Sequence, residues 1–97
     1  MLGFGPRVDM KELIDKGALI LDVRSAGEFA GGHVKGSVNV PLDKLDAYAK
    51  KLKNKEQVII TCCASGMRSA SARNYLQAEG FTQVHNGGGW MSVNRYV

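Results

Sequence analysis

Apolar runs and helix-start patterns alternate along this chain and predict alternating strands and helices. Residues 18–23 and 57–62 are almost continuously apolar, which is typical of strands buried on both faces of a parallel sheet. Two shorter strands are predicted over residues 37–40, which end at Pro41, and over residues 82–85. The hydrophobic pattern therefore places extended segments at four points along the chain.

The segments between these strands carry the signals of helix starts and helix ends. Asp9 with Glu12, and Ser25 with Glu28, have the spacing of a capping box, so a helix is predicted to begin after Asp9 and another after Ser25. Further helices are predicted over residues 42–52 and 69–79, and the three consecutive glycines at residues 87–89 are predicted as a turn.

Strands separated by helices predict an α/β fold with a parallel sheet and helices on both of its faces. With 97 residues and no linker or internal repeat, the chain is expected to form one domain over residues 1–97. In such folds ligands bind beyond the carboxyl ends of the strands. Cys63 directly follows a predicted strand and is therefore expected at that edge of the sheet.

Cys63 also begins a short loop that leads into the helix at residues 69–79. Backbone N–H groups of a tight loop and the positive end of a helix both favour a thiolate over a thiol, and so lower a cysteine pKa. Gly66 supplies the backbone freedom that a tight loop needs, and Arg68 has the charge that stabilises an anion. The sequence thus predicts a reactive cysteine at position 63.

The composition narrows the range of partners. Thirteen Lys and Arg against nine Asp and Glu give a net charge of +4, and no aromatic residues are interleaved with the basic ones, so nucleic-acid binding is not predicted. No apolar run is long enough for a membrane span. Residues 1–6 are too short for a signal peptide, although they have the character of the stub of a longer N-terminus.

The cysteine and histidine content excludes two further kinds of site. Cys62 and Cys63 are neighbours, and a bridge between adjacent residues closes a strained ring, so free thiols are expected. Free thiols indicate a reducing compartment, here the cytoplasm, or a catalytic role, and a periplasmic or membrane-tethered form stays open as an alternative. His33 and His85 have no spacing to the cysteines that is typical of zinc sites, so no metal is expected.

Three motifs follow one another along the chain. The first consists of Leu21-Asp22-Val23-Arg24, Glu28-Phe29, Gly32-His33-Val34-Lys35-Gly36-Ser37 and Asn39-Val40-Pro41. The second is the loop Cys63-Ala64-Ser65-Gly66-Met67-Arg68-Ser69, and the third is Gly87-Gly88-Gly89-Trp90. In this order and spacing they resemble the opening motif, the active-site loop and the C-terminal Gly-Gly-Trp element of the rhodanese-like domains, and the resemblance extends from about residue 8 to about residue 92.

The resemblance implies a single-domain sulfurtransferase with about five mostly parallel strands. In that family the loop cysteine takes a sulfane sulfur from a donor as a persulfide and passes it to a thiol or cyanide, without metal or organic cofactor. Applied here, Cys63 is the expected catalytic residue. Because Ala64, Ser65 and Met67 are uncharged, the loop does not favour a dianionic donor, and thiosulfate and a persulfide or polysulfide are both candidate donors. A protein thiol is a further candidate acceptor.

A second register of the loop predicts different chemistry. Cys62 and Arg68 have the Cys-x5-Arg spacing of tyrosine-phosphatase-like enzymes, whereas Cys63 places Gly66 where the rhodanese loop has its glycine. The chain has no Asp after Asp46 to act as the phosphatase general acid, which favours Cys63 and leaves Cys62 as a small buried residue. A noncatalytic rhodanese-like binding module is a further alternative, which the presence of Cys63 and Arg68 disfavours.

Four residues outside the loop are expected to support the site. Asp22 and Arg24 are predicted to form a structural ion pair, and Trp90 either lines the pocket or fills the core. Two roles are expected equally for Arg68, namely binding an anionic donor and tying the end of the loop to a carboxylate such as Glu28 or Asp22.

Overall fold

Four parallel strands form the sheet in the computed structural model, which describes residues 9–97. The opening at residues 1–6 lies outside this described part. The strands are β1 (Leu19–Asp22), β2 (Val38–Asn39), β3 (Ile59–Cys63) and β4 (Val84–Gly89). The helices are α1 (Met10–Asp15), α2 (Ala26–Ala30), α3 (Leu45–Ala49), which a 3-10 turn (Leu42–Lys44) precedes, α4 (Met67–Ala78) and α5 (Trp90–Asn94).

The strand order β2-β1-β3-β4 creates a crevice at one edge of the sheet. From β1 the chain passes through α2 to β2 on one side, and then returns across to β3 on the other side of β1. The carboxyl ends of β1 and β3 therefore flank the point where the direction of winding changes, which is where ligands bind in open α/β sheets.

Two apolar clusters cover the two faces of the sheet. One contains Leu45 and Ala49 of α3 with Ala72 and Leu76 of α4. The other contains Val93 of α5, and residues of α1 pack against this second cluster. Helices on both faces, the parallel sheet and the α/β class are therefore confirmed, with four strands where the resemblance implied about five.

The triple-glycine segment is the main correction to the predicted elements. Residues 87–89 belong to β4 and not to a turn, since Gly89 pairs with Cys63 of β3 after a register shift. A Cβ atom on Gly87 would lie 2.6 Å from Val93 Cγ2 and 2.9 Å from Ile60 Cγ2. Glycine is thus needed here for close packing of backbone against side chains, a requirement that the local sequence pattern does not reveal.

The other elements differ from prediction mainly in length. Helix α4 begins two residues earlier than expected, at Met67, and β3 extends to Cys63. The predicted helix over residues 42–52 divides into the 3-10 turn and the short α3. Within residues 9–97, no helix combines the length and apolar character required to cross a bilayer.

Candidate active site

The Cys63 sulfur lies at the carboxyl end of β3, surrounded by hydrogen-bond donors. The backbone N–H groups of Gly66 and Ser69 donate to Sγ at 3.0 Å and 3.3 Å, and that of Ser65 also contributes. The Ser69 hydroxyl oxygen lies 3.4 Å from the sulfur. These groups come from the loop and the first turn of α4, where helical N–H groups lack intrahelical partners. Backbone N–H groups of the loop and of the helix start therefore lie around this sulfur.

The same hydrogen bonds decide the ionisation of Cys63. The residue is only 1% exposed, and burial by itself raises a thiol pKa. Hydrogen bonds from Ser69, Gly66 and Ser65 outweigh this effect, so the pKa of Cys63 is lowered from its ordinary value. A buried thiolate with its own donors is well suited to nucleophilic attack.

Gly66 gives the loop the shape that makes this possible. It caps α4 in the left-handed region, with φ +105°, which a residue with a side chain rarely adopts. The buried Thr61 of β3 contacts α4 directly, since its hydroxyl donates to the Ser69 carbonyl at 2.9 Å. This hydrogen bond connects the strand that precedes the loop with the helix that follows it.

Cys62 occupies a different environment from its neighbour. Successive side chains of a strand point to opposite faces, and the two cysteines accordingly belong to different apolar clusters. Burial and the nearby Asp22 raise the pKa of Cys62 to about 12. The geometry therefore supports the interpretation of Cys62 as a small core residue and gives no support to the Cys62-x5-Arg68 register.

An ion pair spans the crevice between β1 and β3. Arg68 of α4 donates to both carboxylate oxygens of Glu28 of α2, at 2.7 Å and 2.9 Å. Glu28 also accepts from the Ser25 backbone N–H in the predicted capping box. Together the Arg68 guanidinium and the Ser25 N–H lower the pKa of Glu28 to about 2. Of the two carboxylates that the sequence offered to Arg68, the structure selects Glu28.

Asp22 is not available to Arg68 because Arg24 occupies it. The Arg24 side chain donates to Asp22 at 2.7 Å, and both side chains are at least 95% buried. Arg24 also donates to the Gly32 carbonyl and lies over the Trp90 ring, 4.9 Å from its centre. The predicted structural ion pair is thus confirmed, and Trp90 packs between Arg24 and the second apolar cluster.

The remaining loop side chains point toward solvent and carry no charge. Ala64, Ser65 and Met67 are exposed, Met67 by 80%. A groove of about 420 Å³ lies beside Arg68. Val23, Ser25, Pro41, Leu42 and Asp43 form the rest of its lining. Among residues 9–97, no three His, Cys, Asp or Glu side chains converge in a way that could hold a metal ion.

Asn86 is the residue of this site that sequence reasoning missed. It lies on β4 and accepts the Ser69 hydroxyl at 2.6 Å, so it is one side chain away from the Cys63 sulfur. A signal was present, because Asn86 directly follows the strand predicted over residues 82–85 and so falls at the carboxyl end of that strand, the edge of the sheet where Cys63 was expected.

Comparison with known proteins places this geometry in a family. The model of the rhodanese-like domain matches residues 7–95. The thiosulfate sulfurtransferase PspE of Escherichia coli is 31% identical over 74 residues, which are 75% of this chain and 71% of that protein. The Bacillus subtilis proteins YqhL and YrkF are 33% and 34% identical over 71% and 86% of this chain. The chain spans 54% and 42% of their lengths.

A solved structure has a fold similar to that of this chain. The crystal structure titled as a rhodanese with anions from Escherichia coli superposes with a TM-score of 0.72 at 28% identity, covering 78% of this chain and 91% of that one. The family-model match covers most of the chain, and the superposition agrees with the fold described above. This chain therefore belongs to the rhodanese-like domain family.

Proposed function

We propose that this chain is a sulfurtransferase in which Cys63 carries a sulfane sulfur, as a persulfide, from a donor to a thiol or cyanide acceptor. The observation that carries this proposal is the pair of hydrogen bonds that the N–H groups of Gly66 and Ser69 donate to Cys63 Sγ. These groups stabilise negative charge on sulfur, which both half-reactions require. The names of relatives such as PspE support the same class of reaction.

In the first half-reaction the Cys63 thiolate attacks the sulfane sulfur of the donor. A bond forms between Sγ and the sulfane sulfur, while the bond between the sulfane sulfur and the rest of the donor breaks. The electron pair of the broken bond leaves with sulfite when the donor is thiosulfate, or with a thiolate when the donor is an organic persulfide. The lowered pKa of Cys63 increases the fraction of thiolate, which is the nucleophilic form, at any given pH.

In the second half-reaction the acceptor attacks the outer sulfur of the persulfide. The new bond to cyanide or to a thiolate forms as the bond to Sγ breaks, and the electron pair returns to Cys63 as a thiolate. Cys63 is now the leaving group, so the N–H groups of Gly66 and Ser69 assist this step too. No proton or electron need be stored between the two steps.

Two-step transfer through a covalent intermediate has a kinetic signature that tests the proposal. With cyanide as acceptor, thiocyanate formation is expected to give parallel double-reciprocal lines as the donor is varied at several fixed cyanide concentrations. Lines that intersect would show that donor and acceptor must be bound together, which contradicts transfer through a free persulfide form.

The charge at the loop bears on which donor is used. Arg68 is the cation of the loop, and its guanidinium is held by both oxygens of Glu28. Arg24 is buried and paired with Asp22. A dianion such as thiosulfate is therefore attracted mainly by the backbone N–H groups and the N-terminal end of α4. By neutralising Arg68, Glu28 weakens the attraction for this donor and so limits sulfur transfer from thiosulfate.

Replacing Glu28 with glutamine is expected to increase thiosulfate use. Glutamine can keep the capping interaction with Ser25 but removes the charge that neutralises Arg68. We expect kcat/KM for thiosulfate to rise by up to about tenfold at low ionic strength, with the gain shrinking as salt is added. Transfer from an uncharged organic polysulfide is expected to change much less.

Glu12→Gln provides the matched control, since Glu12 is an exposed glutamate of α1 that pairs with Lys16. It makes the same change in side chain and net charge on a different helix. An equal gain in both variants would attribute the effect to overall charge, and no gain in Glu28→Gln would show that Glu28 does not limit thiosulfate use.

The state of the thiols bears on where the reaction takes place. Cys62 and Cys63 are both free. A persulfide on Cys63 survives best where oxidants are scarce, because thiolates and persulfides are readily oxidised. The proposal therefore places the chain in a reducing compartment such as the cytoplasm, with a small thiol or a protein thiol as its acceptor.

A further inference from the structure

The Ser69 hydroxyl group lies at a branch point beside the Cys63 sulfur. Its oxygen is 3.4 Å from Cys63 Sγ, 3.0 Å from the Gly66 carbonyl and 2.6 Å from Asn86 Oδ1. Ser69 is fully buried, so water does not satisfy it. A hydroxyl has a single proton to donate, and hence only one of the three neighbours receives it at a time.

Asn86 is held so that its oxygen faces this hydroxyl. The backbone N–H of Gly88 donates to Asn86 Oδ1 at 2.9 Å, which requires an acceptor at that position and so fixes the orientation of the amide. The amide nitrogen faces the Gly66 carbonyl at 3.5 Å. Asn86 therefore offers Ser69 an acceptor and no donor.

The best position of the Ser69 proton depends on the charge of Cys63. When Cys63 is a thiol, its S–H donates to Ser69 and the Ser69 O–H donates to Asn86, which is the arrangement that the distances describe. When the sulfur carries negative charge it can only accept, and the Ser69 hydroxyl must rotate away from Asn86 to donate to it. Asn86 keeps the Gly88 N–H in both states.

We propose that Asn86 is a positioning residue for the Ser69 hydroxyl. Asn86 accepts the hydrogen bond of this hydroxyl whenever Cys63 is neutral, and the hydroxyl turns to donate to Cys63 when negative charge resides on Sγ. The proposal rests on the proposed function. Charge leaves Sγ as the persulfide bond forms, and it returns as the acceptor removes the outer sulfur. The Ser69 O–H follows this charge by rotation, with its proton remaining bonded to oxygen throughout.

The test is the pH dependence of Cys63 alkylation by iodoacetamide in the folded protein, with the modified residue identified by peptide mass spectrometry. In Asn86→Leu the nearer competing acceptor is gone and only the Gly66 carbonyl, at 3.0 Å, still competes for the Ser69 hydroxyl. Ser69 therefore donates to the thiolate more readily, and the titration midpoint of Cys63 should fall. At a pH below that midpoint we expect alkylation to accelerate roughly three- to tenfold, the factor that one ordinary hydrogen bond supplies.

A double-mutant cycle separates this role from a merely structural one. In a Ser69→Ala background, Asn86→Leu should leave the midpoint unchanged, because the hydroxyl that links Asn86 to Cys63 is absent. The same shift in both backgrounds, or no shift with Ser69 present, would overturn the proposal. None of these variants changes another ionisable group on the strands and helices around Cys63. These groups are Asp22, Arg24, Glu28, Cys62, Arg68 and His85.

Asn86→Asp keeps the proposal testable if the leucine variant does not fold. The carboxylate holds the Ser69 proton more firmly, so the midpoint of Cys63 should rise, and by more with Ser69 present than in the Ser69→Ala background. Equal rises would contradict the role of Ser69. If the wild-type protein takes sulfur from no donor, the proposed function fails, while alkylation still reports on Asn86.

Discussion

Replacing Cys63 with serine is expected to reduce sulfur transfer to the uncatalysed background. The hydroxyl that takes the place of the thiol would not ionise near neutral pH and would not form a persulfide, so neither half-reaction can proceed. The substitution is nearly isosteric, and the N–H groups of Gly66 and Ser69 can donate to the new oxygen. Loss of thiocyanate formation should therefore occur in a protein with an unchanged circular dichroism spectrum.

The matched control is the same substitution at the neighbouring position. Cys62→Ser is expected to keep most of the activity per folded molecule, because the Cys62 side chain lies on the other face of β3. It places a hydroxyl in an apolar cluster, which costs about 1–3 kcal/mol of stability, so activity should be compared well below the unfolding temperature. Loss of activity in Cys62→Ser with retention in Cys63→Ser would reverse the assignment.

Replacing Arg24 with alanine is expected to produce the largest loss of stability. The change leaves the fully buried carboxylate of Asp22 without its partner and removes the donor to the Gly32 carbonyl. Breaking a buried ion pair in this way typically costs about 3–5 kcal/mol. Since a domain of this size is stabilised by roughly 5–15 kcal/mol, urea should unfold the variant at a much lower concentration.

Arg95→Ala serves as the control for this prediction, because Arg95 is an exposed arginine that follows α5. Its expected effect on the free energy of unfolding is within about 0.5 kcal/mol. A change of less than about 1 kcal/mol in Arg24→Ala would mean that Asp22 is solvated or otherwise compensated. Replacing Asp22 and Arg24 together by apolar residues should be less damaging than replacing Arg24 alone.

The features that the sequence predicted well are those that depend on neighbouring residues. A strand, a cysteine and a glycine three positions later define the Cys63 loop, and the φ of +105° at Gly66 follows from a helix that starts directly after it. The capping box of Ser25 and Glu28 is likewise local, and it is formed. Such patterns carry their own geometry because few residues intervene.

The features that were left open depend on which distant segments meet. Whether Arg68 pairs with Glu28 or Asp22 was undecided until the structure showed that Arg24 occupies Asp22. Asn86 lies close to Ser69 because it pairs with Thr61 of β3, whose hydroxyl donates to the Ser69 carbonyl. This pairing depends on contacts along both strands, and its register shifts directly afterwards, between Thr61 and Cys63.

A persulfide on Cys63 can be detected by mass spectrometry of the intact protein after brief incubation with thiosulfate, and separately with an organic polysulfide. We expect the gain of one sulfur atom, located on the peptide that contains Cys63 and absent in Cys63→Ser. Cyanide should remove that atom and release thiocyanate. A folded protein that gains no sulfur from either donor, or that carries the sulfur on Cys62, would show that transfer through a Cys63 persulfide is wrong.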